Sequence, residues 1–230
     1  MAEQRPGRET EPEEFLGEPR WPLALALLGF IILTISLRIL VPSRPSVGAD
    51  WVVPVIEIGL LVALLAADQH ATHRRAVWLR RVAVALILAL AAGGIWSTGV
   101  LIDALITGGA ITNSASSLLA SGALIWIGNN LIFGLIYWSF DGGGPRARAL
   151  GGDPYPDFAF PQFMNPELAP PGWRPQYVDY FYLGLTNGTA FSPTDTMPMA
   201  PWAKLTMGVQ AMISLLVVGL VIARAVNVFT

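Results

Sequence analysis

The sequence predicts an all-α integral membrane protein of five transmembrane helices, with a short half-helix or re-entrant segment before the fifth. Three observations carry this prediction. Of 230 residues, 53% are hydrophobic and 13% are charged, where a soluble domain carries about a quarter charged. The charges gather in a few clusters between long apolar runs. Finally, Tyr177 to Asn227 joins an aromatic run too brief to cross a bilayer to a polar Thr/Ser/Asn segment and a long apolar run.

Met1 to Arg20 is rich in Glu, Pro and Arg and has no apolar periodicity, which predicts a disordered cytoplasmic tail. It lacks the apolar core and small-residue cleavage site of a signal peptide. Pro22 to Val41 then supplies about 20 mostly apolar residues, enough for ~30 Å of hydrocarbon. Arg38 near its end can reach the headgroups. Pro42, Pro45 and Gly48 break the chain before a second span, Trp51 to Ala67, bracketed by Asp50 and Asp68. Trp51 stands where an interfacial aromatic belongs.

Gln69 to Arg81 is predicted as a basic loop holding His70, His73, Arg74, Arg75, Arg80 and Arg81. Val82 to Thr107 and Leu118 to Phe140 are the third and fourth spans, so residues 21–140 form a four-helix transmembrane region. Gly93 and Gly94 allow a neighbouring helix to approach. Residues 141–176 form a separate Pro/Gly/aromatic loop, with three consecutive glycines and eight prolines. Those prolines forbid one continuous helix. Its aromatics, Tyr155, Phe158, Phe160, Phe163 and Trp173, predict that it folds back on the bilayer surface or the helix ends.

Orientation follows from the arginines. With the amino terminus inside, the tail, the second loop and the 141–176 segment hold ten of them, and the first external loop holds Arg38 and Arg44. The positive-inside rule therefore predicts a cell-membrane protein with a cytoplasmic amino terminus.

Within residues 177–230, Val178 to Gly188 would extend roughly 16 Å as a helix, about half the hydrocarbon thickness. Thr186, Asn187, Thr189, Ser192, Pro193, Thr194 and Asp195 follow as a run of hydroxyls and carbonyls around a proline. Irregular backbone at membrane depth persists where it is buried in protein or lines a wet cavity. A half-helix carboxyl end aimed at such a segment suits a cation. Two readings stand: a polar path through the membrane, or a kinked hairpin whose Ser and Thr cap helices, with Asp195 and Thr196 capping the last span.

Tyr180, Phe181, Thr189, Asp195, Ala223 and Arg224 give this hairpin a distant resemblance to the pore helix, filter and inner helix of the potassium-channel superfamily. Ala190, Phe191, Ser192, Pro193 and Thr194 stand where the filter would be. Both filter glycines are replaced, and stacked carbonyl rings need their backbone freedom. A wider resemblance rests on the pattern of four spans followed by IYWSFDGGGP, YPDFAFPQ, PELAPPGW, TNGTAFSPTDTMP and ARAVN. This pattern resembles a bacterial family of multi-pass integral membrane proteins of unknown function, and it implies no activity or ligand.

Glu57, Asp103 and Arg224 are ionisable residues inside predicted spans, where charges are rare and usually paired. If the hairpin enters from the cytoplasm, Arg224 shares a layer with Glu57 and Asp103, which predicts a Glu57–Arg224 ion pair with Asp103 as the alternative acceptor. Asn129, Asn130 and Gln210 are expected to bond between helices.

Function is thereby narrowed to two classes: a small pore or transporter-like protein with a polar path at Thr186 to Asp195, or a non-conducting structural or interaction protein. The expected partners are the bilayer, further copies of the chain and, for a pore, a small cation. No nucleic-acid partner, cofactor or metal is expected. Nor is an enzyme: there is no cysteine, the histidines lie in a loop, and the GGGP run at 142–145 lacks the Lys-Ser/Thr of a phosphate loop.

Overall fold

The computed structural model describes residues 21–40, 52–66, 73–107, 115–149, 151, 155–190 and 195–229. The amino-terminal tail, His70, Arg44, Ser192, Pro193 and Thr194 lie outside the described residues, as does the Arg38 side chain.

Helices occupy all five predicted apolar runs: α1 (Trp21–Leu40), α2 (Val52–Ala66), α3 (His73–Thr107), α4 (Ala115–Phe140) and α8 (Pro201–Phe229). Three are long and apolar enough to cross a membrane, over Arg80–Thr107, Ala115–Gly143 and Pro201–Val226. Among the described residues the first two predicted spans fall short of that measure. α1 contributes an apolar stretch of Trp21–Ile32, and α2 has 15 residues, roughly 22 Å of helix.

The basic segment read as a loop is helical from His73 onward. No proline or glycine interrupts 73–92, and Arg, Ala and Leu are strong helix formers. α3 therefore runs unbroken from the arginine cluster into its apolar part.

α4 is the central element. Of its apolar stretch 61% is buried, against 22% for α3 and 28% for α8. It packs against α1, α3, α8 and α7 (Tyr177–Ala190). Glycines set the closest approaches. A Cβ on Gly134 would lie 3.2 Å from the Phe181 Cα, one on Gly128 would meet the Phe30 ring at 2.8 Å, and one on Gly122 would meet Val221 at 2.7 Å. These contacts fix directions. α7 begins beside the carboxyl end of α4 and runs back along it, and α8 starts at the same end and runs the same way to reach Gly122.

Between α4 and α7 the chain makes short pieces: a 3-10 turn (Asp141–Gly143), α5 (Pro145–Ala149), β1 (Phe158–Ala159), α6 (Pro161–Met164) and a second 3-10 turn (Pro166–Leu168). β1 pairs antiparallel with β2 (Met197–Pro198), Ala159 opposite Met197. This pairing brings the chain leaving α7 back to the end of the molecule from which α7 entered. Gly142, Gly143 and Gly144 take φ of 53°, 77° and 92°, a conformation side chains resist. A Cβ at Gly144 would also lie 2.8 Å from the Ser139 carbonyl oxygen.

Candidate functional site: a buried polar lock under an aromatic clasp

α7 is defined at its start by Asp179, whose Oδ2 accepts the Gln176 N–H at 2.7 Å. That is the reach-back half of a capping box, and the carboxylate sits favourably at the positive end of the helix. The helix continues to Ala190, with Pro193 as the following stop signal. Its 14 residues give roughly 21 Å.

This length changes the setting of three predicted site residues. Thr186, Asn187 and Thr189 lie within regular helix. Thr186 Oγ1 donates to the Tyr182 carbonyl at 3.0 Å, and Thr189 Oγ1 to the Leu185 carbonyl at 2.9 Å. Back-bonding of this kind satisfies a hydroxyl inside a helix, so a polar run that reads as loop is compatible with helix. Asp195 is exposed and Thr196 buried. α8 starts beyond both, at Pro201, where a missing N–H does no harm.

Asn187 points inward and meets α8. Its Nδ2 donates to the Met207 carbonyl and to Gln210 Oε1, both at 2.9 Å. Gln210 is the hub. Its Oε1 also accepts the Tyr137 hydroxyl at 2.7 Å, and its Nε2 donates to the Gly184 carbonyl at 2.8 Å and to Asn130 Oδ1 at 3.2 Å. Asn130 Nδ2 in turn donates to the Trp126 carbonyl at 2.8 Å. Gln210 and Tyr137 are wholly buried, and Asn130 and Asn187 nearly so. The four capacities of this primary amide on α8 are thus filled by α4 and α7. A smaller link joins α3 to α4, with Asn129 Nδ2 donating to Thr98 Oγ1 at 3.3 Å.

Above this lock, at the carboxyl end of α4, Asp157 clasps three segments. Its Oδ2 accepts the Gly142 N–H at 2.9 Å and its Oδ1 the Trp202 indole N–H at 3.1 Å. Its carbonyl accepts the Met199 N–H at 2.8 Å. Arg148 Nη1 donates to the Trp138 and Asp141 carbonyls, at 2.8 and 2.7 Å, closing the end of α4 as a basic side chain should. Its guanidinium lies 5.0 Å from the centre of the Tyr180 ring, and the Tyr180 hydroxyl donates to Asp141 Oδ2. Phe158 fills the middle, edge-on to Tyr137 at 5.3 Å and Trp202 at 5.6 Å. Phe160 meets Tyr180 at 5.2 Å.

No protein family, curated protein or solved structure matches the chain.

The three charges that the sequence places inside spans are dispersed. Glu57 is fully buried on α2, Asp103 is exposed on α3, and Arg224 is half-buried on α8 with Nε enclosed. Among the described residues no ion pair joins Arg224 to Glu57 or to Asp103. The geometry explains why. α8 packs against α3 through Leu101 and Leu105, and Asp103, two residues from each, points the other way. α2 packs against α1 and α3.

Sequence reasoning named Asn129, Asn130 and Gln210 as interhelical bonding groups, but it missed Tyr137 and Asp157 as members of the site. The available signal for Asp157 was a lone carboxylate amid Pro, Tyr and Phe in YPDFAF.

Proposed function

We propose that the protein is a non-conducting, multi-pass membrane protein, structural or interactive in role, in which the hairpin from Tyr177 to Ala203 is a packing device. The observation carrying this reading is the saturation of Gln210, whose amide spends both lone pairs and both N–H groups on α4 and α7. A permeation path needs polar groups that exchange protein partners for an ion. Here the inward polar face of α7 is committed to its neighbours, and its threonine hydroxyls are committed to their own helix.

In this reading five helices cross the bilayer and α7 enters as a half-helix from the cytoplasmic side. The arrangement of Arg80, Arg81, Arg146, Arg148 and Arg174 around the start of α3 and the 141–176 segment supports that orientation. Burial of α7 between α1, α4 and α8 supports a half-helix held by protein, as membrane-depth backbone requires.

Purified protein in proteoliposomes, loaded with a potassium-, sodium- or proton-sensitive dye, tests it. The expected result is a leak equal to that of protein-free vesicles, unchanged by Gln210→Glu. A wild-type leak that Gln210→Glu or Asp195→Asn alters would overturn the reading and restore the polar path.

A further inference from the structure

The arginines at the clasped end fall into two groups. Arg148 and Arg174 are committed to main-chain carbonyls. Arg80, Arg81 and Arg146 are exposed, and among the described residues their guanidiniums make no hydrogen bond or ion pair. They also converge. A Cβ on Gly144 would meet Arg80 Nη2 at 3.7 Å, which sets Arg80 beside the turn that leads, two residues on, to Arg146. Arg81 is the neighbour of Arg80 on α3.

Their level along α3 is informative. Arg80 and Arg81 are the last charged residues before an uncharged run of α3 from Val82 to Ile102, so in a bilayer these guanidiniums stand where hydrocarbon gives way to headgroups. Below Arg81 the outward stripe of α3 is apolar, with Ala85 and Leu88 exposed. One turn above stands Trp78, 62% exposed, an aromatic suited to the interface. The surface thus offers planar cationic forks at one height and an uninterrupted apolar strip beneath them. Guanidinium forks match phosphate oxygens two at a time, and a ligand that also covers the strip must carry acyl chains.

We propose that Arg80, Arg81 and Arg146 form a binding site for the phosphate of an anionic glycerophospholipid, its acyl chains lying along the Ala85–Leu88 stripe of α3. The site rests on α3 crossing a bilayer and is independent of whether the protein conducts.

The test is lipid binding to the full chain in detergent, followed by native mass spectrometry with phosphatidylglycerol and phosphatidylcholine at equal concentration. Phosphatidylglycerol is expected to bind in preference, with that preference falling about fivefold for each arginine removed. The triple variant Arg80→Gln/Arg81→Gln/Arg146→Gln should lose it while keeping the wild-type unfolding temperature, because among the described residues none of the three makes an internal hydrogen bond or ion pair. Lys204→Gln, which removes an exposed charge near the start of α8, should retain it. Equal binding of the two lipids would overturn the proposal, as would a preference surviving in the triple variant or abolished equally by Lys204→Gln. Displacement of the lipid by soluble glycerol phosphate at matching concentration would make this a free-phosphate site and overturn the lipid assignment. A chain that stays in solution without detergent would instead refute the membrane reading itself.

Discussion

Gln210 Nε2 on α8 lies 2.8 Å from the carbonyl oxygen of Gly184 on α7. A side chain at Gly184 would lie 3.4 Å from that nitrogen and 3.2 Å from the Asn130 carbonyl oxygen. Glycine thus admits the amide to the backbone of a neighbouring helix, and three helices close around one side chain.

Replacing Gln210 by Leu should therefore be severe despite its similar size. It leaves the Tyr137 hydroxyl and the Asn187 amide buried without their shared acceptor, at about 2–4 kcal/mol in total. Tyr137→Phe together with Gln210→Leu should cost less than the sum of the two single changes, because they share one bond. Unfolding of the purified variants in mild detergent measures both.

Gly188 offers a sharper steric contrast. A Cβ there would stand 2.7 Å from Asn130 Oδ1 and 3.0 Å from Ser214 Oγ, so Gly188→Ala must displace the amide that Gln210 bonds. A loss of about 1–3 kcal/mol is expected. Gly208→Ala, with nothing within 4 Å of the new methyl, should be neutral or stabilise by up to about 1 kcal/mol. Equal thermal shifts for the two would contradict the packing described.

Asp157→Ala should release the clasp without unfolding the bundle. The Gly142 N–H and the Trp202 indole lose their acceptor, at about 1–3 kcal/mol, and Trp202→Phe should show a smaller part of the same effect. Limited proteolysis reports it: cleavage between residues 150 and 176 should accelerate in both variants, more in the first, while α3 and α4 stay protected.

Absence of cysteine makes the course of the chain measurable. Because Ala159 pairs with Met197, Tyr155→Cys and Asp195→Cys should react with a membrane-impermeant thiol reagent from one and the same side. Thr107→Cys, at the far end of α3, should react from the other. Labelling of positions 155 and 195 from opposite sides would exclude a half-helix that returns to its starting face.

The positions of the apolar helices and the brevity of α7 were legible because each depends on a contiguous run of residues. Two local readings failed for local reasons. The arginines at 74–81 read as a loop because charge marks a membrane boundary, yet charge does not end a helix. The threonines at 186 and 189 read as irregular chain because their hydroxyls compete with the backbone, yet here they bond carbonyls one turn back. The lock and the clasp lay beyond reach for another reason. Tyr137 and Gln210 are 73 positions apart and Asp157 and Trp202 are 45 apart, so nothing in either neighbourhood announces the partner. The Glu57–Arg224 pairing failed because depth along a helix says nothing about which way a side chain faces.

The dependence of α7 on α8 bears on how the protein is made. At 14 residues α7 is too short to be held by lipid alone, and the partners of Asn187, Met207 and Gln210, leave the ribosome some 20 residues after it. During synthesis α7 can therefore pack on α4 as soon as it is made, but the polar face it turns to α8 stays open until residue 210 has followed. The helix translated after α7 thus completes the packing of α7.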